Sequence, residues 1–190
     1  MTERRVQVQV FPSFQGTVSE RWLRRVAGEA LHAAAPGEEF RLSLVLADDT
    51  TVRELNRTYR GLDETTDVLA FAFDHPGEYE GEGEPPADQS LEPFISAPES
   101  ARSLGEVIVS YPQCLRQAKA QGQPARDELA LLVTHGVLHL LGYDHAAPDE
   151  ERVMREQEAS ILTALGRGPS GSPALASEAG LPRTAPAVRR

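Results

Sequence analysis

Residues 134 to 145 read THGVLHLLGYDH and hold three of the chain's five histidines, His135, His139 and His145, within eleven positions. On a helix, side chains four apart project from the same face, so the His135 and His139 rings can share one metal ion. Gly142 permits a left-handed turn that reverses the chain and returns His145 as a third ligand. Three neutral imidazoles leave one tetrahedral position for water, the arrangement of a catalytic rather than a structural zinc site. The competing reading is three satisfied core or surface histidines. Leu129, Leu132, Val137, Leu138 and Leu141 weigh against it, because imidazoles buried unpaired among them would cost free energy that a metal bond offsets. His32 and His75 lack such company and read as bystanders.

The same spacing resembles the zinc-protease pattern H-E-x-x-H-x-x-G-x-x-H, including the glycine three residues after the second histidine. Gly136 stands where those proteases carry the glutamate that activates water and protonates the leaving amine. Without that carboxylate a peptidase lacks its general base, and the protease reading is demoted.

The histidine pair needs a helix, and the pattern supplies one from about Pro124 to Leu141, ending at Gly142. Upstream, Val6, Val8 and Val10 alternate as in a half-buried strand, and Phe40 to Ala47 repeats this with Leu42, Leu44 and Leu46 on one face. Thr17 with Glu20, and Thr51 with Glu54, read as capping boxes opening two helices, the second carrying Val52, Leu55 and Tyr59 inward. Asp67 to Phe73 and Leu104 to Ser110 are short, branched and apolar, hence strands. Pro112 and Gly122 bracket a third helix, and Pro148 with Asp149, Glu150 and Glu151 starts a fifth that carries Val153, Met154, Ile161, Leu162 and Leu165. The order strand, helix, strand, helix, two strands, three helices predicts an α+β domain over residues 1–165. Its small mixed sheet is mostly parallel and four-stranded, with about five helices and the metal site on a long buried one.

Composition bounds the partners. The net charge is −10, but eight acidic residues and no Lys or Arg lie between Asp74 and Ser100, while the tail 166–190 is +3. The remainder carries −5, which leaves room for local basic patches on an otherwise acidic protein. The Gly- and Pro-rich stretch 74–103 reads as a surface excursion and 166–190 as a disordered low-complexity tail. A single cysteine, Cys114, excludes an internal disulfide framework and a thiolate cluster. With no signal-like or membrane-spanning run, the chain reads as soluble, cytoplasmic and without a membrane partner.

A second segment, NRTYRGLDETTDVLAF (Asn56 to Phe71), precedes the histidines. Together the two segments resemble the YbeY family of bacterial single-strand-specific metallo-endoribonucleases. The family pattern N-x-x-Y-R-x-x-D, then T-D-V-L and Phe, is met by Asn56, Tyr59, Arg60, Asp63, Thr66, Asp67, Val68, Leu69 and Phe71. Leu104 and Gly105 follow, then the whole histidine segment. Thr65, Ala70 and Glu106 depart from the usual proline, serine and aspartate.

The resemblance implies zinc, one ion per chain, and cleavage of single-stranded RNA in ribosomal RNA maturation, including the 16S 3′ end, and in ribosome quality control. It implies the ribosome and its proteins as partners. It also places Arg60 near the metal, where a guanidinium can clamp a phosphate bidentately. Arg53 and Arg57 read as a solvated face, and Arg21, Arg24 and Arg25 as a candidate extension of a basic groove. Asp144 is expected either to orient a ligand imidazole or to shuttle a proton. Two other functions compete: another zinc-dependent hydrolase, peptidase or phosphoesterase, and a ribosome-assembly factor with a structural metal.

Overall fold

The computed structural model describes residues 6–73, 103–145 and 147–166. Strands β1 (Val6–Val10), β2 (Arg41–Ala47), β3 (Val68–Ala72) and β4 (Ser103–Ser110) form one sheet in the order β1-β2-β4-β3. The first three neighbours are parallel and β3 runs antiparallel to β4. Among the described residues there are five α-helices: α1 (Glu20–Ala34), α2 (Asp49–Arg60), α3 (Tyr111–Gln121), α4 (Ala125–Leu140) and α5 (Pro148–Ala164). This is the α+β architecture expected from the element order. Of the expected excursion only Ser103, and of the expected tail only Gly166, falls within the described residues; His75 falls outside them.

The sheet is covered on both faces. Leu42, Leu44, Leu46, Val68, Val107 and Val109 join α1, α4 and α5 in the main core. Val45, Ala47, Leu69 and Ile108 meet Val52 of α2 in a smaller core on the other face. This corrects the half-buried reading of β2, in which Leu42 through Ala47 are all buried. Alternation marks a strand with one wet face, and β2 has none because it lies inside the sheet with helices on either side.

Both capping boxes are displaced. The N-cap of α1 is Ser19, whose Oγ accepts from the Trp22 amide at 3.4 Å, while the Thr17 hydroxyl donates to the Phe14 carbonyl. The N-cap of α2 is Asp48, whose carboxylate accepts from the Thr51 amide at 2.8 Å. In each case another side-chain oxygen stands three residues before an amide that needs an acceptor, and it starts the helix at its own position.

Helix α4 is buried from Glu128 through Leu140 without a break, the pattern of a helix enclosed on every side. It crosses the sheet closely at Gly136, where an added Cβ would lie 2.6 Å from Val107 Cγ1 and 3.3 Å from Val68 Cγ2. Any side chain there pushes the helix off β3 and β4. Gly136→Ala is expected to cost about 1–3 kcal/mol by overpacking, measured as a lower urea midpoint with an unchanged slope. Unaltered stability would mean that α4 yields without cost.

Candidate metal centre

The site is assembled by α4, the turn that follows it, and the end of α2. His135 and His139 occupy successive turns of α4 and are 2% and 6% exposed. Their Nε2 atoms face each other at 3.0 Å. After Leu140 the chain reverses at Gly142, which has φ +87°, a conformation that L side chains rarely adopt. The bend is held by the Gly142 amide on the His139 carbonyl, the Tyr143 amide on the Leu138 carbonyl, and the His145 amide on the Asp144 carboxylate at 2.7 Å. It brings the His145 ring to 5.1 Å from that of His139 and 5.9 Å from that of His135, centroid to centroid. One nitrogen from each ring lies within 4.8 Å of the others.

These distances suit a shared cation. Tetrahedral zinc with nitrogen ligands at about 2.0–2.1 Å needs pairs of nitrogens roughly 3.3 Å apart, close to the His135–His139 separation. Two lone pairs facing each other repel unless a proton or an ion lies between them. His139 disfavours the extra proton: burial first, then the charges of His135, His145 and Arg60, push its imidazole down to about 2, against an opposing hydrogen bond to the Tyr143 backbone. A neutral imidazole is the form that binds metal.

Arg60, the last residue of α2, is 5% exposed and close enough for its charge to act on His139. Its burial corrects the expected inward face of α2. Val52, Asn56 and Arg60, four residues apart, are buried, whereas Leu55 and Tyr59 are only half-buried. Arg53 and Arg57 are exposed, as a solvated face should be.

The rest of the upstream motif fixes the loop after Arg60. Asn56 Nδ2 donates to the Glu64 carbonyl at 2.9 Å, and Arg53 forms a bidentate pair with Asp63 at 2.8 and 3.0 Å. Thr65, one of the departures, donates to the Asp49 carbonyl. Asp67 accepts from the Val68 amide and from Gln117 Nε2 at 2.9 Å, tying the start of β3 to α3.

Other expected residues are not part of this cluster. His32 is exposed at the end of α1. Arg24 is held by Glu20 at 2.8 Å. The first turn of α1 lies beside Arg126, whose guanidinium sits 4.8 Å from the Trp22 ring centroid. At 1.5 Å per residue this places it about 20 Å from His139 along α4, too far for those arginines to line the immediate site. Cys114 is buried, and burial followed by the charges of Glu128 and Asp67 pushes its thiol up to about 12, so it is not a nucleophile.

One residue escaped the sequence reading. Glu158, on α5, accepts from His135 Nδ1 at 2.7 Å, both side chains being almost wholly buried. Asp144, expected either to orient a ligand imidazole or to shuttle a proton, has a carboxylate that receives the His145 amide. The available signal was phase: Met154, Glu158, Ile161 and Leu162 share one stripe of α5, and a carboxylate inside an apolar stripe is out of place.

Fold and site together define a small α+β protein with a three-imidazole centre, two of its rings buried and the third half-buried, able to hold a divalent cation and flanked by an arginine. Residues 9–166 match the family model Endoribonuclease YbeY. A protein of that name from Halalkalibacterium halodurans is 46% identical over 143 residues, covering 73% of this chain and 83% of its own. One from Dehalococcoides mccartyi is 42% identical over 80% of this chain and 91% of its own, and one from Roseiflexus castenholzii 38% identical over 87% and 96%. A solution structure from Thermotoga maritima aligns with 93% of this chain and 99% of its own at TM-score 0.48 and 21% identity. The chain belongs to the YbeY endoribonuclease family.

The neutral His139 has a consequence for acid stability. The unfolded chain carries an ordinary imidazole near 6.5, so below about pH 6.5 it binds a proton that the fold refuses, and stability falls as pH falls. Chelator-treated protein is expected to lose about 1.4 kcal/mol per pH unit from this residue alone between about pH 6 and pH 4. His139→Gln removes that component of the slope. Urea titrations across the range check this, and equal slopes for the two proteins would contradict it.

Proposed function

We propose that the chain is a zinc-dependent endoribonuclease acting on single-stranded RNA in ribosomal RNA maturation, the 16S 3′ end included, and in ribosome quality control. The observation that carries this is the juxtaposition of the His135, His139 and His145 cluster with Arg60, in a chain whose relatives are named endoribonucleases. Zinc is preferred because the donors are three imidazoles with no thiolate, a set that suits a borderline cation and leaves a coordination position open. When bound, the ion supplies Lewis-acid polarisation of the phosphate and activation of water near neutral pH.

The protein's own residues do the rest. Arg60 binds the scissile phosphate and offsets the charge that builds up on it, in a site dry enough for that charge to matter. Asp144 holds the turn that carries His145 and serves as the group for proton transfer. Recession of His135 and His139, with His145 on the more open side, favours a backbone that can splay into the site over a rigid duplex. Partners are ribosomal RNA, the ribosome and its proteins. Among the described residues no helix is long and apolar enough to cross a membrane, and the proposed place of action is the cytoplasm.

Protein purified without chelator is expected to carry one zinc per chain and to cleave single-stranded ribosomal RNA but not duplex, with EDTA abolishing cleavage. Arg60→Lys keeps the charge but loses the planar fork, and should lower kcat by roughly 10²–10³-fold with zinc content unchanged. Cleavage by a His139→Ala control equal to that of the wild type would sink the proposal. End groups on the product separate the two attacking nucleophiles, since a 2′,3′-cyclic phosphate arises only from the ribose 2′-OH.

A further inference from the structure

The inward stripe of α5 consists of Met154, Glu158, Ile161 and Leu162. Three of these fill the main core, and packing alone would favour an apolar residue at the fourth. A buried carboxylate is costly to desolvate, and a buried ion pair seldom stabilises a fold more than well-packed hydrophobic side chains of the same size. Yet Glu158 is only 8% exposed and has Oε1 2.7 Å from His135 Nδ1. A carboxylate only accepts, so a neutral His135 facing it has its ring hydrogen on Nδ1 and its lone pair on Nε2, the form in which an imidazole binds metal. That Nε2 is the atom facing His139.

The partners of the two helical imidazoles differ in kind. His139 leans on a neutral backbone group at Tyr143, whereas His135 leans on a charged side chain. A negative acceptor makes the opposite nitrogen a better donor to a cation and places compensating charge one ring away from it. It also crosses between elements: α5 starts at Pro148, three residues after His145, and returns against α4 to reach His135.

From this geometry we infer that Glu158 is a positioning residue for the metal centre: it locks His135 in the tautomer that presents Nε2 and makes docking of α5 part of metal binding. The inference rests on the metal-centre reading above. It predicts that the ion stabilises α5 as well as the turn that carries His145.

The test begins with zinc affinity of the full chain by competition with a chromophoric chelator. Absence of zinc uptake by the wild type would strike the metal-centre reading, and the role of Glu158 with it. Given wild-type uptake, Glu158→Ala is expected to weaken zinc binding roughly 10–100-fold. Glu158→Gln keeps shape and an accepting oxygen but loses the charge, and should fall between the two. Cobalt-loaded protein should show a shifted visible spectrum in both variants. Zinc should slow amide exchange in α5 of the wild type and do so less in Glu158→Gln. Met154→Ala is the packing control: it should lower the melting temperature while changing zinc affinity less than about threefold, since a thioether in the core gives a ligand imidazole no charged acceptor. Should Glu158→Ala fail to fold, the near-isosteric Glu158→Gln decides. A folded Glu158→Gln with wild-type zinc affinity and an unshifted cobalt spectrum would overturn the inference and leave Glu158 as a docking residue of α5.

Discussion

Two imidazoles one turn apart on an enclosed helix must find their partners inside the protein, and much of the surrounding architecture follows from that constraint. Helix α4 has no wet face between Glu128 and Leu140, so His135 and His139 cannot turn to solvent. An unpaired polar ring in such a place is destabilising by a few kcal/mol. The fold answers from two directions: Glu158 comes in from α5 to His135 and the Tyr143 backbone from the turn to His139, which leaves the two Nε2 atoms facing each other. A cation between those nitrogens would satisfy them better than a single shared hydrogen can, and metal loading would then be linked to stability.

Close packing of α4 against the sheet sets the geometry. Gly136 lies between the two histidines and against Val107 and Val68. The glycine that displaces the protease glutamate is therefore also the residue that lets the helix approach. Both facts come from the absence of one side chain. An ion held by three neutral donors would keep its full charge, and the proposed chemistry would not need a carboxylate in that position. The arginine arrives by a different route, at the last turn of α2. There Gly61, with φ +76°, ends the helix, and the Asn56–Glu64 and Arg53–Asp63 contacts hold the loop that follows.

Much of this was legible in the residues. The element order, the mostly parallel sheet and the three-histidine cluster all follow from periodicity, glycine placement and spacing, because these are local properties of the chain. The misreadings have a shared cause in tertiary context. Ser19 and Asp48 displaced Thr17 and Thr51 as caps through shifts of two or three residues that no pattern resolves. Burial of β2 on both faces depends on α2 crossing to the far side of the sheet. Arg60 has the phase of Val52 and Asn56 on α2, and phase alone cannot announce that a guanidinium belongs inside. Glu158 lies thirteen residues beyond His145 on another helix, and only packing of α5 on α4 brings it to His135.

Zinc K-edge X-ray absorption on protein loaded with one ion per chain tests the central claim most directly. Three imidazole nitrogens at about 2.0–2.1 Å with one further light atom are expected, and the imidazole signal should fall when His145 is replaced by alanine. A shell of oxygen donors without imidazole scattering, or a spectrum indifferent to His145, would show that the three rings do not gather around the ion.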